Sequence, residues 1–566
     1  MNKGIATPFF SFKRSLLIGA LTLSHSAYAL SVLETNERFL NKPALTPDLP
    51  ANTVLPTKSP PSHPISTASV QLFLLKKVHL RGNTVFSAAQ LAPIIERYVG
   101  REVNADDLRQ LRQELTVFYL DKGYINSGAI LPKQAVDNGE LTVDIIEGRL
   151  GQLTIEGLHW LRESYVRQRL APNASERVLN IKEIQTNLQL LQQNPLIQRI
   201  HAQLLPSLQA GKANLSANIE EQRPYFATFG TSNNGVPSVG AERFEFWGGH
   251  RDLLGFGDAL TGNVLQSAGQ NQYGIAYDLP FSRWDTSLQV HYSYSEANVV
   301  EKPFDQLNIF NRSEAIAIGI SQPVWRTLEN QFTLGLSAEH RHSAAFLSDQ
   351  TFQFSRGSNK GVSNVSVLRF SQEWVNHSQE HIIALRSVAN WGLGLFDATL
   401  HKNPALPDSE YFFWLGQAQW IQRLGQTGLE LHLQTNAQLA SDALLSVEQY
   451  ALGGMNSVRG YRKNQSVRDS GFASSVELRI PVLEKQLGNR VLQLAPFFDV
   501  GRSWSASNAG GAGQTLTSVG IGVQLDPNKY WHLECYWALP LNSVQTTGTD
   551  LQDVGVHFAI NFSPLP

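Results

Sequence analysis

The sequence predicts a membrane-spanning β-barrel preceded by two small mixed α+β modules. Three observations carry this. From residue 222 to residue 566, apolar and polar residues alternate with period two and no convincing helix interrupts them. Ahead of that stretch, residues 70–221 hold two similar units of strands and helices in tandem. An export signal stands at the amino terminus, and no later run approaches the roughly 18 apolar residues of a spanning helix.

Composition agrees. At 566 residues the chain has room for about three domains. Charged residues are 17% of it, below the roughly 25% of average soluble proteins. Lys+Arg (46) and Asp+Glu (48) nearly cancel, so charge points neither to a nucleic-acid partner nor to an acidic disordered chain. A mean hydropathy of −0.19 is too polar for a bundle of membrane helices. Cys535 is the single cysteine, which excludes an intrachain disulfide and any multi-cysteine metal site.

Residues 1–29 read as a signal peptide. Lys3, Lys13 and Arg14 precede the apolar core Leu16–Leu23, and Ala27-Tyr28-Ala29 is a small-x-small cleavage site. A membrane anchor is the alternative, but the core is about half the ~20 residues a span needs. Residues 30–69 read as a short helix followed by a linker. The seven prolines between Pro43 and Pro64 bar a continuing helix or sheet.

Residues 70–148 read strand, helix, helix, strand, strand. Leu74–Leu80 is a strand. Ser87 with Gln90 forms a capping box before Leu91, Ile94 and Tyr98, and Gly100 ends that helix. Asn104 caps a second helix carrying Leu108, Leu111, Leu115 and Phe118 on one face. Ala129–Leu131 and Leu141–Ile145 are strands joined through Asp137-Asn138-Gly139. Residues 149–221 repeat the order: a strand at Leu153–Ile155, a helix opened by Asn180 and Glu183, then strands at Ile200–Leu204 and Ala213–Ile219. Open strand edges in such modules suit the capture of an extended client chain.

In residues 222–566 the alternation is regular. Leu288, Val290, Tyr292 and Tyr294 oppose Gln289, His291 and Ser293. Leu429, Leu431 and Leu433 oppose Glu430, His432 and Gln434; Val554, Val556, Phe558, Ile560 and Phe562 close the chain. A soluble sandwich with one wet face gives the same alternation. The barrel is favoured because the strands are about 9–11 residues long, enough for a tilted crossing. Ten of the eleven tryptophans also lie here, many near strand ends, where aromatics sit at the membrane–water boundary.

Several motifs add to this reading. Gly123-Tyr124, Leu131-Pro132, Gln134, Gly139, Leu141, Val143 and Glu147-Gly148 lie in the first module. Ser232-Asn233-Asn234-Gly235 with Gly240, then Leu254–Asp258, stand near the start of the alternating region. Leu452-Gly453-Gly454 precedes Val458-Arg459-Gly460-Tyr461, and Phe497-Phe498-Asp499-Val500-Gly501 follows on a later strand. With these the chain resembles, over essentially its whole mature length, the two-partner-secretion outer-membrane transporters (TpsB type, the hemolysin secretion/activation family).

The resemblance implies a plug helix, a linker, two periplasmic POTRA modules and a 16-stranded barrel. It implies that the loop with Val458, Arg459, Gly460 and Tyr461 folds back into the lumen, with Arg459 facing Asp499 between Phe497 and Gly501 on the inner wall. Asp499 shares a strand face with Gln493 and Ala495, so alternation also points it inward. In an open watery lumen such a pair contributes about 0–1 kcal/mol; if it is shielded, removing one partner costs roughly 3–5 kcal/mol. The implied partners are a large secreted protein (an adhesin, hemolysin or contact-dependent toxin), outer-membrane lipid, and the barrel assembly machinery during biogenesis.

No nucleotide loop, metalloprotease motif or nucleophile elbow is present in the sequence, so no enzyme, cofactor or metal site is expected. Gly248-Gly249 reads as a hairpin. His340 and His342 share a strand face and read as solvated residues of the lumen or an outer loop. An outer-membrane assembly factor is the alternative function, and a nonspecific porin a weaker one.

Overall fold

The structure is a computed structural model. It describes residues 72–134, 138–172, 177–209, 211–403, 405–425, 427–485, 489–506, 513–544 and 550–565. The signal peptide, plug helix and proline-rich linker lie outside the described residues, as does Asp137. The chain divides into two compact units, with the boundary between Gln222 and Arg223.

In the first unit, the opening strand is broken. Phe73–Leu74 pairs with Glu102–Val103, while Lys77–Arg81 runs parallel to Glu140–Ile146, which in turn pairs with Gly128–Ile130. The helices Ala88–Ile95 and Ala105–Asp121 cover this sheet, burying Leu91, Leu111, Leu115 and Tyr119 against Leu141 and Val143. Both predicted caps are present. Gln90 Oε1 accepts from the Ser87 N–H at 2.9 Å, and Asn104 Oδ1 accepts from the N–H groups of Asp106 and Asp107.

The second module has Arg149–Glu156 parallel to Lys212–Glu221, with Ile197–Pro206 on the other side. Its first helix, Glu163–Leu170, had no counterpart in the sequence reading. Only Tyr165, Val166 and Leu170 of its eight residues are buried, and three apolar positions among charges give a weak periodicity.

The modules share a device. Glu147, at the end of the central strand of module 1, accepts from the N–H groups of Thr84 (2.7 Å) and Val85 (2.8 Å), from the Thr84 hydroxyl, and from the Tyr119 hydroxyl (2.9 Å). Glu221, at the matching place in module 2, accepts from the N–H groups of His159, Trp160 and Leu161 at 2.7–2.9 Å. Each carboxylate satisfies backbone donors that the turn after the first strand would leave without partners.

The second unit is a closed antiparallel barrel of sixteen strands among the described residues, from Tyr225–Ser232 to Val556–Leu565, each paired with its chain neighbours. A two-residue strand, Gln350–Thr351, adds to the seventh. The last strand closes on the first through Phe562↔Phe229. Strands run from 8 residues (Arg243–His250) to 18 (Ile309–Arg326 and Asn330–Leu347), a wider spread than the expected 9–11.

The alternation sorts the faces as predicted. Ile316, Ile318 and Ile320 are each more than half exposed on the outside, while Ala315 and Ala317 are buried inside. A bare apolar band of this kind is what a lipid-facing wall requires and a soluble sandwich does not tolerate.

Three local expectations change. Gly248-Gly249 lies inside the second strand, paired to Ala227 and Phe226 on one side and to Gly262 and Thr261 on the other, so it is not a hairpin. A Cβ at Gly248 would stand 2.8 Å from the Phe246 ring, and one at Gly249 would strike Leu260 O and stand 3.1 Å from the Phe226 ring, so the glycines make room for an aromatic lying over the backbone and for the neighbouring strand. His340 and His342 alternate with the buried Glu339, Arg341 and Ser343; they face outward, hydrogen-bonded to Ser366 and Asn364. Val554 belongs to a 3-10 turn, Leu551–Val554, and the last strand begins at Val556.

Candidate functional site: the lumen loop and its wall

The loop between the eleventh strand, Leu429–Ala440, and the twelfth, Ser470–Lys485, folds inward. Its stem is a small antiparallel hairpin, Tyr450–Leu452 with Ser466–Arg468. Leu452, Val458 and Tyr461 pack with Ala473 and Leu516 on the inner wall, all nearly inaccessible to solvent. At Gly460 φ is +87°, and a Cβ there would meet Ala538 at 3.0 Å. Only glycine turns the chain this way at that distance.

Arg459 sits at the tip. Its Nε and Nη2 donate to Oδ2 and Oδ1 of Asp499, both at 2.8 Å, and its backbone N–H adds a third bond to Oδ2 at 3.0 Å. Nη1 donates to Glu477 at 2.5 Å and Nη2 to the Ser475 hydroxyl at 2.8 Å. The guanidinium lies 3.5 Å from the centre of the Phe497 ring and 4.7 Å from that of Tyr536. Asp499 is wholly buried and Arg459 is 6% exposed. The open-lumen setting weighed from sequence therefore does not apply: the pair is shielded, and two wall carboxylates rather than one face the arginine.

The rest of both motifs has a physical role. Gly501 leaves room for Leu452 and Val458, whose atoms lie 2.5 and 3.0 Å from where its Cβ would stand. The Tyr461 hydroxyl lies 2.9 Å from Thr517 O and 3.1 Å from Asn542 O. Gly460 N–H donates to His557 Nε2 at 2.9 Å. Sequence reasoning missed Glu477, Ser475, Tyr536 and His557. Inward alternation marks each of them, but nothing in one sequence ties them to a loop tens of residues away.

Past the tip, the loop ties to other segments. Arg462 donates to both oxygens of Asp553 and to Glu301. Lys463 Nζ donates to Asn234 O at 2.8 Å. Asn233 donates to Val556 O and accepts from Phe558 N–H, both at 2.8 Å, stitching the first strand's end to the last strand. The Ser232–Gly235 motif thus begins on the last residue of the first strand, at the start of the barrel.

The module-1 motif residues also find places. Gln134 pairs with the backbone of Thr142 through both its amide groups, prolonging the sheet beyond Gly128–Ile130. Pro132 follows the end of that strand. Lys76 N–H donates to Gly139 O at 2.8 Å. Gly123, at φ +96°, faces Asn180 of module 2, whose Oδ1 would lie 2.6 Å from a Cβ. Ile181 N–H donates to Gly123 O, Asn180 Nδ2 to Lys122 O, and Leu179 N–H to Gly148 O. Tyr124 packs edge-on to Phe86. Burial and the hydrogen bond to Glu147 push the Tyr119 phenol well above its usual range, which keeps it a donor.

The comparisons agree with this geometry. The family described as haemolysin secretion/activation protein ShlB/FhaC/HecB matches residues 211–525, and the ShlB-type POTRA domain matches residues 73–148. The chain is 22% identical over 476 residues to the heme/hemopexin transporter protein HuxB of Haemophilus influenzae (strain 86-028NP), covering 82% of each. It is 24% identical over 506 residues to the hemolysin transporter protein ShlB of Serratia marcescens, covering 86% of each. The solved structure of CdiB from Escherichia coli superposes with a TM-score of 0.69 at 19% identity, over 96% of this chain and 99% of that one. The chain belongs to the haemolysin secretion/activation family, the outer-membrane transporters of two-partner secretion, which hold their POTRA modules in the periplasm and pass a secreted protein through the barrel.

Proposed function

We propose that this transporter exports one large secreted partner, an adhesin, hemolysin or contact-dependent toxin, with the pinned lumen loop occupying the export path until the client arrives. The observation that carries this is the Arg459 knot. It holds a folded-in loop against strands 12, 13, 15 and 16 from inside a closed barrel. Val458, Gly460 and Tyr461 shape the loop; Phe497, Asp499 and Gly501 form its seat.

Capture starts at the modules, where Lys77–Arg81 and Gly128–Ile130 are the outer strands of one sheet and Arg149–Glu156 and Ile197–Pro206 those of the other. Such edges bind an extended chain through main-chain hydrogen bonds and ask little of its side chains. In this reading residues 1–29 are removed on export, and residues 30–69 supply a plug helix and linker. POTRA modules then fill residues 70–148 and 149–221, with the barrel from 222 to 566. Outer-membrane lipid surrounds the barrel, which the assembly machinery inserts. No ATP reaches this location, so folding of the client outside drives transport.

Deleting residues 70–221 in the native host tests the reading. The expected result is loss of surface export of one large protein, which then accumulates in the periplasm, with other barrels normal. General failure of barrel insertion would instead indicate an assembly factor, and altered small-solute uptake alone a porin.

A further inference from the structure

The root of the lumen loop carries a second group of buried charges. Glu339 and Arg341 stand on the seventh strand, Asn330–Leu347, and Arg369 on the eighth, Val362–His377. Glu448 comes from the loop itself, at the end of the 3-10 turn Ser446–Glu448. All four side chains are 3% exposed or less.

Arg341 Nη2 lies 2.5 Å from Glu339 Oε1, and Arg341 Nη1 lies 3.6 Å from Glu448 Oε1. Arg369 Nη2 lies 3.3 Å from Glu448 Oε1 and 3.7 Å from Glu339 Oε2, while its Nη1 donates to Asn390 on the ninth strand at 2.6 Å. The turn's backbone joins in. Val447 O accepts from Arg341 at 3.4 Å and Glu448 O accepts from Gln438 at 2.8 Å. Leu444 and Leu445, just before the turn, pack with Val365, Val367, Val388, Tyr411 and Phe413.

We infer that Glu448 is a second positioning residue of the export path, anchoring the loop's root to strands 7–9 independently of the Arg459 anchor at its tip. The two anchors have inverted polarity. At the tip, the loop supplies the cation and the wall two carboxylates with Arg479 beside one of them; at the root, the loop supplies a carboxylate and the wall two arginines with Glu339 between them. Once the loop leaves, Glu477 keeps Arg479 of its own strand at 2.8 Å, but Asp499 loses the bonds it accepts from Arg459. Removing Glu448 leaves two buried arginines sharing only Glu339, a costly arrangement in a desolvated site. The loop is therefore a strap fixed at both ends, and the wall resists release at either one.

This rests on the reading of the loop as occupant of the export path, so the test separates the two. Single-channel currents are recorded from the full-length protein in planar bilayers for E448Q, E448D and R459A, with heat-modifiable gel mobility as the check on barrel folding. E448Q should raise open probability about tenfold, the equivalent of ~1.4 kcal/mol, with mobility unchanged. E448D, which keeps the charge, should stay near the parent. Unchanged currents in E448Q with raised currents in R459A would overturn the root anchor and leave the export reading standing. Unchanged currents in both would overturn both. If E448Q does not fold, the exchange E448R/R369E should restore folding and low conductance, and failure to restore them refutes direct pairing.

Discussion

At residue scale, Arg459 decides the lumen. Bidentate pairing with Asp499, a third bond from its own backbone and a second carboxylate at Glu477 place it in a shielded site. Removing one partner of such a pair costs roughly 3–5 kcal/mol, because the other charge stays buried. D499N should therefore loosen the loop and raise pore conductance in bilayers, and a variant with the parent's conductance would contradict the seat. R459K keeps the charge but not the planar fork that fits both Asp499 oxygens and stacks on Phe497; its conductance should fall between parent and D499N. The direct exchange R459D/D499R should rescue only in part, since Glu477 would then face an aspartate. Sequence alone made the Arg459 and Asp499 pairing legible through two motifs in order. Glu477 was not legible, because an inward carboxylate on a strand looks the same whether it binds a loop or water.

At the scale of elements, the modules depend on carboxylate hubs and one tight junction. E147A would leave the Thr84 and Val85 N–H groups and the Tyr119 hydroxyl without their acceptor. Thr84 is exposed and can turn to water, whereas leaving a shielded donor unsatisfied, as at Val85 and Tyr119, costs up to about 1–3 kcal/mol. Limited proteolysis of the detergent-solubilised protein should then cut first within residues 72–148, while the barrel resists. Cleavage indistinguishable from the parent would remove Glu147 from this role. G123A combines a disfavoured φ of +96° with a collision against Asn180. Spin-label distances between the two modules should broaden in that variant, and an unchanged distribution would show that the junction does not depend on Gly123. Helix caps at Ser87, Asn104 and Asn180 could be read from sequence because capping is local. The helix Glu163–Leu170 could not, because its buried positions are set by Leu191 and Ile219 packing beside it from elsewhere in the chain.

For the whole molecule, the alternation that marked the second half as a barrel is the lipid boundary condition written residue by residue: every strand must present apolar atoms outward and pair its backbone on both sides. That rule is periodic and so survives in one sequence. Strand length does not, because strands such as Asn330–Leu347 extend as far as their neighbours keep pairing with them. The central claim is that a client chain threads this lumen. Photo-crosslinking amino acids placed at Gln417, on the inner wall, and at Ile318, on the lipid face, test it most directly in cells carrying a client stalled during export. The account predicts crosslinks to the client from position 417 and none from position 318. Client crosslinks absent at 417, or equal at both positions, would contradict it.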